Sequence, residues 1–383
     1  MAIIFAENSE HGNAPSGYSF DIVTGAPAIN SVTPMRGTYD IRVGRGAQNT
    51  DSMYLGSSDA WSKLNPAPAV LYTHFWYKLV TKPSAGNVDQ VVIAVDSGGG
   101  LQTLDVDENA HLYWLGQASP YFQLILSQKV EIETYYGIEG ANLVATLWVN
   151  GTFIGSYSKL KAGTKISSVR FGNANAATGK FNFDAYYDDI VADNARRIGT
   201  GLTLETEVPN ADDGTEDEWS PNDSANPADN TYDHVKDIPT GVGSYAWCLP
   251  GSSDATTQEQ LWAFPATTAT GTVIAVDCLF NSAWLAGGSV RSFYHRIKLP
   301  STGTVVNTDI STLINATTVP PFIYYRTCCA TDPDGAAWTK ASADALLVGG
   351  QRGADANAYT WRIYDVYKTV VYRDTPQDWA GII

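Results

Sequence analysis

Apolar and polar residues alternate with a period of two through most of this chain, the signature of β-strands that bury one face. In "LYTHFWYKLV" the odd positions Leu71, Thr73, Phe75, Tyr77 and Leu79 form a predicted core face, and the even positions Tyr72, His74, Trp76, Lys78 and Val80 form the other. "NLVATLWVNGTFIGSYS" puts Leu147 and Val149 on one face and Val144, Thr146 and Trp148 on the opposite one. Between its two apolar runs, Asn150-Gly151 supplies the two positive-φ residues of a tight hairpin. "DQVVIAVDS", "LQTLDVDENAHLYWLG" and "SQKVEIETYYGIE" predict further strands, as do "GTVIAVDCLFNSAW", "SVRSFYHRIKL", "PPFIYYRTCCAT" and "YTWRIYDVYKTVVYRD". One helix is predicted in "WTKASADALLVGG", capped by Thr339 and stopped at Gly349-Gly350.

The expectation is therefore an all-β protein with one or two short helices at most. Its 383 residues suit two domains, and 34 glycines with 18 prolines suit short strands joined by turns. The predicted layout is a first β-sandwich over 1–197, an acidic connector or surface loop over 198–237, and a second β-sandwich over 238–383. Thr203 to Asp237 carries eleven acids against the single base Lys236, and Trp219 is its one obvious anchor. No short repeat is visible, although both halves end in a Tyr-Asp-containing strand.

A net charge of −16 disfavours nucleic acid, whose phosphates are engaged by clustered Lys and Arg. The opening "MAIIFAENSEHG" lacks a basic region and a long apolar run, so the expectation is a soluble protein made in the cytoplasm, with no membrane partner. Cys248, Cys278, Cys328 and Cys329 lack zinc-ligand spacing and are expected as reduced thiols.

Three of the four acids on one strand are the first candidates for chemistry. In "FNFDAYYDDIVAD", strict alternation puts Asp184, Tyr186 and Asp188 on one face and Phe183, Ala185, Tyr187 and Asp189 on the other. A retaining glycosidase needs carboxyls ~5–5.5 Å apart. Asp184 and Asp188 lie about 13 Å apart along an extended strand, so glycosidase activity from this strand is disfavoured. The expected role of Asp188 and Asp189 is to bond backbone amides of adjoining loops. "DVDEN" (Asp105, Asp107, Asn109) and "NADDGTEDE" leave room for a structural Ca²⁺ but lack a complete EF-hand pattern, so no metal ligand and no cofactor is assigned. His11, His74, His111, His234 and His295 are scattered, and no nucleophile or phosphate-loop motif is present. The expectation is no catalytic residue. Tyr72, Trp76 and Trp148, predicted on one sheet surface, are the candidates for contact with a ligand or partner, through ring stacking on sugars or as interface anchors.

The "LWVNGTFIGSYS" hairpin followed by the closing strand "FNFDAYYDDIVAD" resembles the legume-lectin and laminin-G-like jelly roll, the concanavalin A-like architecture, which implies that fold for the first half. "NADDGTEDEWSPNDSANPADNTYDHVKDIP", "TVIAVDCLFNSAW" and "TDPDGAAWTKASADALLVGG" together resemble the C-terminal module of tailed-phage virion proteins. These resemblances imply a non-enzymatic structural protein on the virion surface, a head decoration or fibre subunit or a tail appendage. Its expected partners are major capsid or tail proteins and further copies of itself. The alternative is a carbohydrate-binding adhesin for host surface polysaccharide, with a glycan hydrolase a distant third.

Overall fold

The computed structural model describes residues 3–8, 20, 22–24, 27–32, 34–44, 51–56, 64, 66–117, 119, 121–173, 184–217, 219–221, 231–235, 246–248, 258–268, 270–285, 292–311, 323–353 and 360–373. His11 and Phe183, named above, lie outside them, as do 222–230 of the acidic stretch and the side chains of His234 and Cys248. The protein is almost entirely β and divides into two compact units, Met1–Leu202 and Thr203–Ile383.

The strands of the first unit are β1 (Ile3–Glu7), β2 (Ile22–Thr24), β3 (Ala28–Asn30), β4 (Asp40–Val43), β5 (Ser52–Gly56), β6 (Val70–Thr81), β7 (Val88–Asp96) and β8 (Leu101–Asp107). They continue as β9 (His111–Trp114), β10 (Phe122–Gln123), β11 (Lys129–Glu139), β12 (Asn142–Val149), β13 (Thr152–Leu160), β14 (Ile166–Gly172) and β15 (Asp184–Asp193). One sheet runs β13-β12-β11-β6-β15-β4-β3, with β1 also on β15, and the second runs β10-β9-β8-β7-β14-β5-β2. Every pairing is antiparallel, which lets each sheet bury one face and turn the other outward.

The predicted core face of β6 does pack inward. Phe75, Tyr77, Phe171 and Tyr187 meet with ring centroids 5.2 to 6.5 Å apart, mostly edge to face. Asn150 (φ 49) and Gly151 (φ 78) make the turn between β12 and β13 as the sequence predicts. The Asn150 side chain then accepts the Glu131 amide at 2.9 Å, which ties the turn to β11.

Strict alternation fails at one point of the closing strand. Asp189 has φ 45, and the register of β15 against β6 slips between Asp188 and Val191. This bulge lets Ala185 and Tyr187 before it and Ile190 and Ala192 after it all join the core.

In the second unit the strands are β16 (Leu202–Glu207), β17 (Ala211–Asp217), β18 (Ser220–Pro221), β19 (Ala246–Cys248), β20 (Gln258–Ala263), β21 (Thr272–Leu285), β22 (Phe293–Leu299), β23 (Thr304–Asp309), β24 (Ile323–Cys329), β25 (Leu347–Arg352) and β26 (Thr360–Arg373). They form the sheets β18-β19-β26-β21-β24, with β16 on β26, and β17-β20-β25-β22-β23.

The structure corrects two sequence expectations in this unit. The stretch 198–237, expected as a connector or surface loop, supplies β16, β17 and β18 in its described part, and Trp219 is wholly buried against Trp262. Among its described acids, Asp212, Glu207 and Glu205 act as acceptors rather than as solvated charge. Asp212 takes the Tyr232 amide at 3.0 Å and the Gln260 side chain at 3.2 Å, and Glu207 pairs with buried Lys368 at 2.7 Å. The predicted helix is short, α1 (Lys340–Asp344), capped by Thr339 as expected, and Gly349-Gly350 belongs to β25 rather than ending a helix. A Cβ on Gly349 would stand 1.9 Å from the Gln260 carbonyl oxygen, so this glycine serves the close approach of β20 and β25. Among the described residues no helix is long and apolar enough to cross a membrane.

Candidate functional site

The closing strand spends its acids on the backbone and on arginines. Asp184 forms a two-pronged ion pair with Arg42. Asp188 accepts the Arg36 amide at 3.1 Å and the Asp189 amide at 2.8 Å, the loop-amide role expected of it. Asp189 pairs instead with the Arg36 guanidinium at 3.2 Å.

Tyr72, Trp76 and Trp148 do share one surface, the outer face of the eight-stranded sheet. Register places Tyr72 beside Tyr135, Trp76 beside Glu131, and Trp148 beside Glu133. The Tyr72 and Tyr135 rings lie 5.0 Å apart. Both tryptophans are covered by cations of the same chain: Arg36 and Lys129 each stand 5.3 Å from the Trp76 ring, and Arg197 stands 4.5 Å from Trp148. The Trp76 indole N–H also donates to the Leu202 carbonyl at 3.4 Å.

Between the tryptophans lies a carboxylate pair that sequence reasoning passed over. Glu131 and Glu133 are two residues apart on β11 and therefore face the same way. Segment 197–202 closes over them as a strap. Glu133 receives Arg197 Nε and Nη2 at 2.9 and 2.6 Å together with the Gly199 amide, and Glu131 receives His74 and the Gly201 amide, each at 2.7 Å. Gly199 (φ 85) and Gly201 (φ 75) hold the left-handed backbone of this strap. Burial alone would raise the Glu131 pKa, but the hydrogen bond and charge of His74 with the strap amides outweigh it and leave the carboxyl below its usual range. The only signal in the sequence is the Glu-Ile-Glu spacing of "KVEIET", which strand periodicity alone makes a same-face pair.

The outer face of the seven-stranded sheet is built differently. Pairing of β7, β8 and β9 sets Ile93 beside Thr103 and Asp105 beside Tyr113, with His111 farther along β9. The ring of Tyr121, just before β10, lies 4.0 Å from that of His111. Asp105 is 2% exposed, its side chain makes no hydrogen bond, and its Oδ1 is buried without a partner. Burial, reinforced by the charge of Asp89, pushes its pKa up to about 8, while burial brings Asp89 to about 7. Burial, with Asp105 and Asp107 nearby, lifts Tyr113 to about 12. Asp107, grouped with Asp105 in the calcium expectation, instead accepts the Asn109 and His111 amides at 2.8 and 2.9 Å and so caps its own turn. Among the described residues no group of three or more His, Cys, Asp or Glu side chains converges on a metal position.

No protein-family model matches the chain, and no curated protein matches it either. Among solved structures, the cellulose-induced protein Cip1 is 15% identical with a TM-score of 0.36, over 51% of this chain and 100% of that one. Trypanosoma rangeli sialidase in complex with sialic acid is 13% identical with a TM-score of 0.37, over 51% of this chain and 31% of that one. A further sialidase is 11% identical with a TM-score of 0.35, over 51% of this chain and 18% of that one. The chain thus spans less than a third of these sialidases, and at such scores the likeness carries no argument about chemistry.

Proposed function

We propose that this chain is a non-enzymatic structural protein of a tailed-phage particle, a head-surface decoration or fibre subunit or otherwise a tail appendage. Its partners are capsid or tail proteins and further copies of itself, and its place is the virion surface after synthesis in the bacterial cytoplasm. The observation that carries this reading is that Asp184, Asp188, Asp189, Glu131 and Glu133 are all engaged in holding backbone or arginine, so these acids stabilise surfaces and are not free for acid–base work. The sequence resemblance to lectin-like and virion modules supplies the particle. Quantitative mass spectrometry of gradient-purified particles tests it: stoichiometric recovery beside the major capsid protein is expected, and absence from particles overturns it.

A second reading, a carbohydrate-binding adhesin, is favoured by one specific observation: unpartnered Asp105 beside Tyr113 on the outer face of the seven-stranded sheet. Retention on host polysaccharide beads supports that reading, and passage through them without retention removes it.

A further inference from the structure

Two of the three rings singled out in the sequence, Trp76 and Trp148, are covered by the chain's own cations, whereas the opposite sheet presents rings around an acid whose side chain bonds nothing. Asp105 is recessed to the floor of this face, with Tyr113 across from it, Thr103 two residues before it, and the Tyr121 and His111 rings beyond. Tyr121 is 48% exposed, so its ring is available to a partner. A recessed polar group left without a bond is costly unless a ligand or water completes it.

We propose that this face binds a neutral saccharide, with Tyr121 and Tyr113 stacking on sugar rings while Asp105 and Thr103 bond its hydroxyls. The inference rests on the adhesin reading and gives it a location. The chemistry selects the ligand. Asp107, two residues on along the same face, carries the charge that repels anionic sugars and phosphates. An acid that burial keeps protonated offers no charge to attract a cation, but it can both donate and accept a hydrogen bond, as a sugar hydroxyl does. Aromatic rings beside such a group match the C–H face of a pyranose, which a phosphate or a metal ion lacks.

The test uses the full chain with cellohexaose, laminarihexaose, maltohexaose and mannohexaose as neutral probes and a galacturonate hexamer as the charged control, read by titration calorimetry and hydrogen exchange. At least one neutral hexasaccharide is expected to bind, to protect strands β8 and β9, and to exceed the galacturonate hexamer at least tenfold in affinity. Tyr121→Ala, on a half-exposed ring whose loss leaves the core intact, and Asp105→Leu each weaken it about tenfold. Asp105→Asn, which still donates and accepts, holds it within about threefold, and Trp76→Ala leaves it unchanged. A hexasaccharide that binds equally well to Tyr121→Ala and Asp105→Leu and protects other strands overturns the site while leaving the adhesin reading standing. Failure of all four neutral probes overturns the site, and passage through host polysaccharide beads without retention then overturns the adhesin reading as well.

Discussion

Arg197 holds its guanidinium 4.5 Å over the ring of Trp148 while bonding Glu133 through Nε and Nη2. That relationship turns a predicted ligand platform into an internal seal. A ring whose outer side carries an arginine is not free to stack on a sugar, and the glutamate beneath is not free to act as base or nucleophile.

Removing Glu133 leaves the Gly199 amide without its acceptor and the strap without its main tether. Glu133→Ala is therefore expected to destabilise the first unit by about 2 to 3 kcal/mol, in the range for a broken buried pair whose arginine can partly return to water. Urea unfolding followed by tryptophan fluorescence measures this. A loss below about 0.5 kcal/mol would mean the strap is not held by this carboxylate.

Asp89 and Asp105 bind their protons more tightly in the folded protein than in the unfolded chain, where an aspartate titrates near ~3.9. Their stabilising contribution is complete at acid pH and drains away as pH rises through about 7 and about 8. The limiting slope is about 1.4 kcal/mol per pH unit per group. Asp105→Asn should accordingly gain on the natural protein in thermal unfolding as pH is raised from about 4 to about 8, the span between the unfolded and folded values. Parallel curves for the two proteins would refute the assignment.

Much of the first unit was legible in the sequence because a half-buried strand writes its two faces as alternation, and Asn150-Gly151 writes its turn. The bulge at Asp188-Asp189 was not legible, since a single positive-φ aspartate has no pattern of its own. The stretch after Thr203 misled because charge density reads as solvation, whereas Asp212 and Glu205 are acceptors for groups far along the chain, at Gln260 and Thr268. Gly349-Gly350 misled because the same residues that end helices also admit close strands. Of the candidate surface, the shared face of Tyr72, Trp76 and Trp148 could be read from periodicity, but not the cations over two of its rings, which come from distant segments.

Close contact at Gly349 gives a sharper test of the second unit. Gly349→Ala drives a Cβ into the Gln260 backbone, which cannot rotate away as a side chain would. A cost of about 3 kcal/mol is expected, at the upper end for overpacking. Differential scanning calorimetry should show a lowered transition for this variant, and an unchanged thermogram would contradict the packing described.

Burial pushes the Cys278 and Cys328 thiols well above their usual range and Cys329 to about 11, and all three are free. Iodoacetamide at pH ~8 should leave them largely unmodified in the folded protein and label them fully in urea, since the thiolate is the reactive species. Rapid labelling without denaturant, read by peptide mass spectrometry, would show these strands to be open.

The proposed role has this chain working through its surfaces, as part of a particle. Cryo-electron microscopy of purified virions tests that most directly. Exterior density is expected, repeated with the particle's symmetry, into which each β-sandwich fits separately. Particles complete in every other protein but with no such density on head or tail would contradict it.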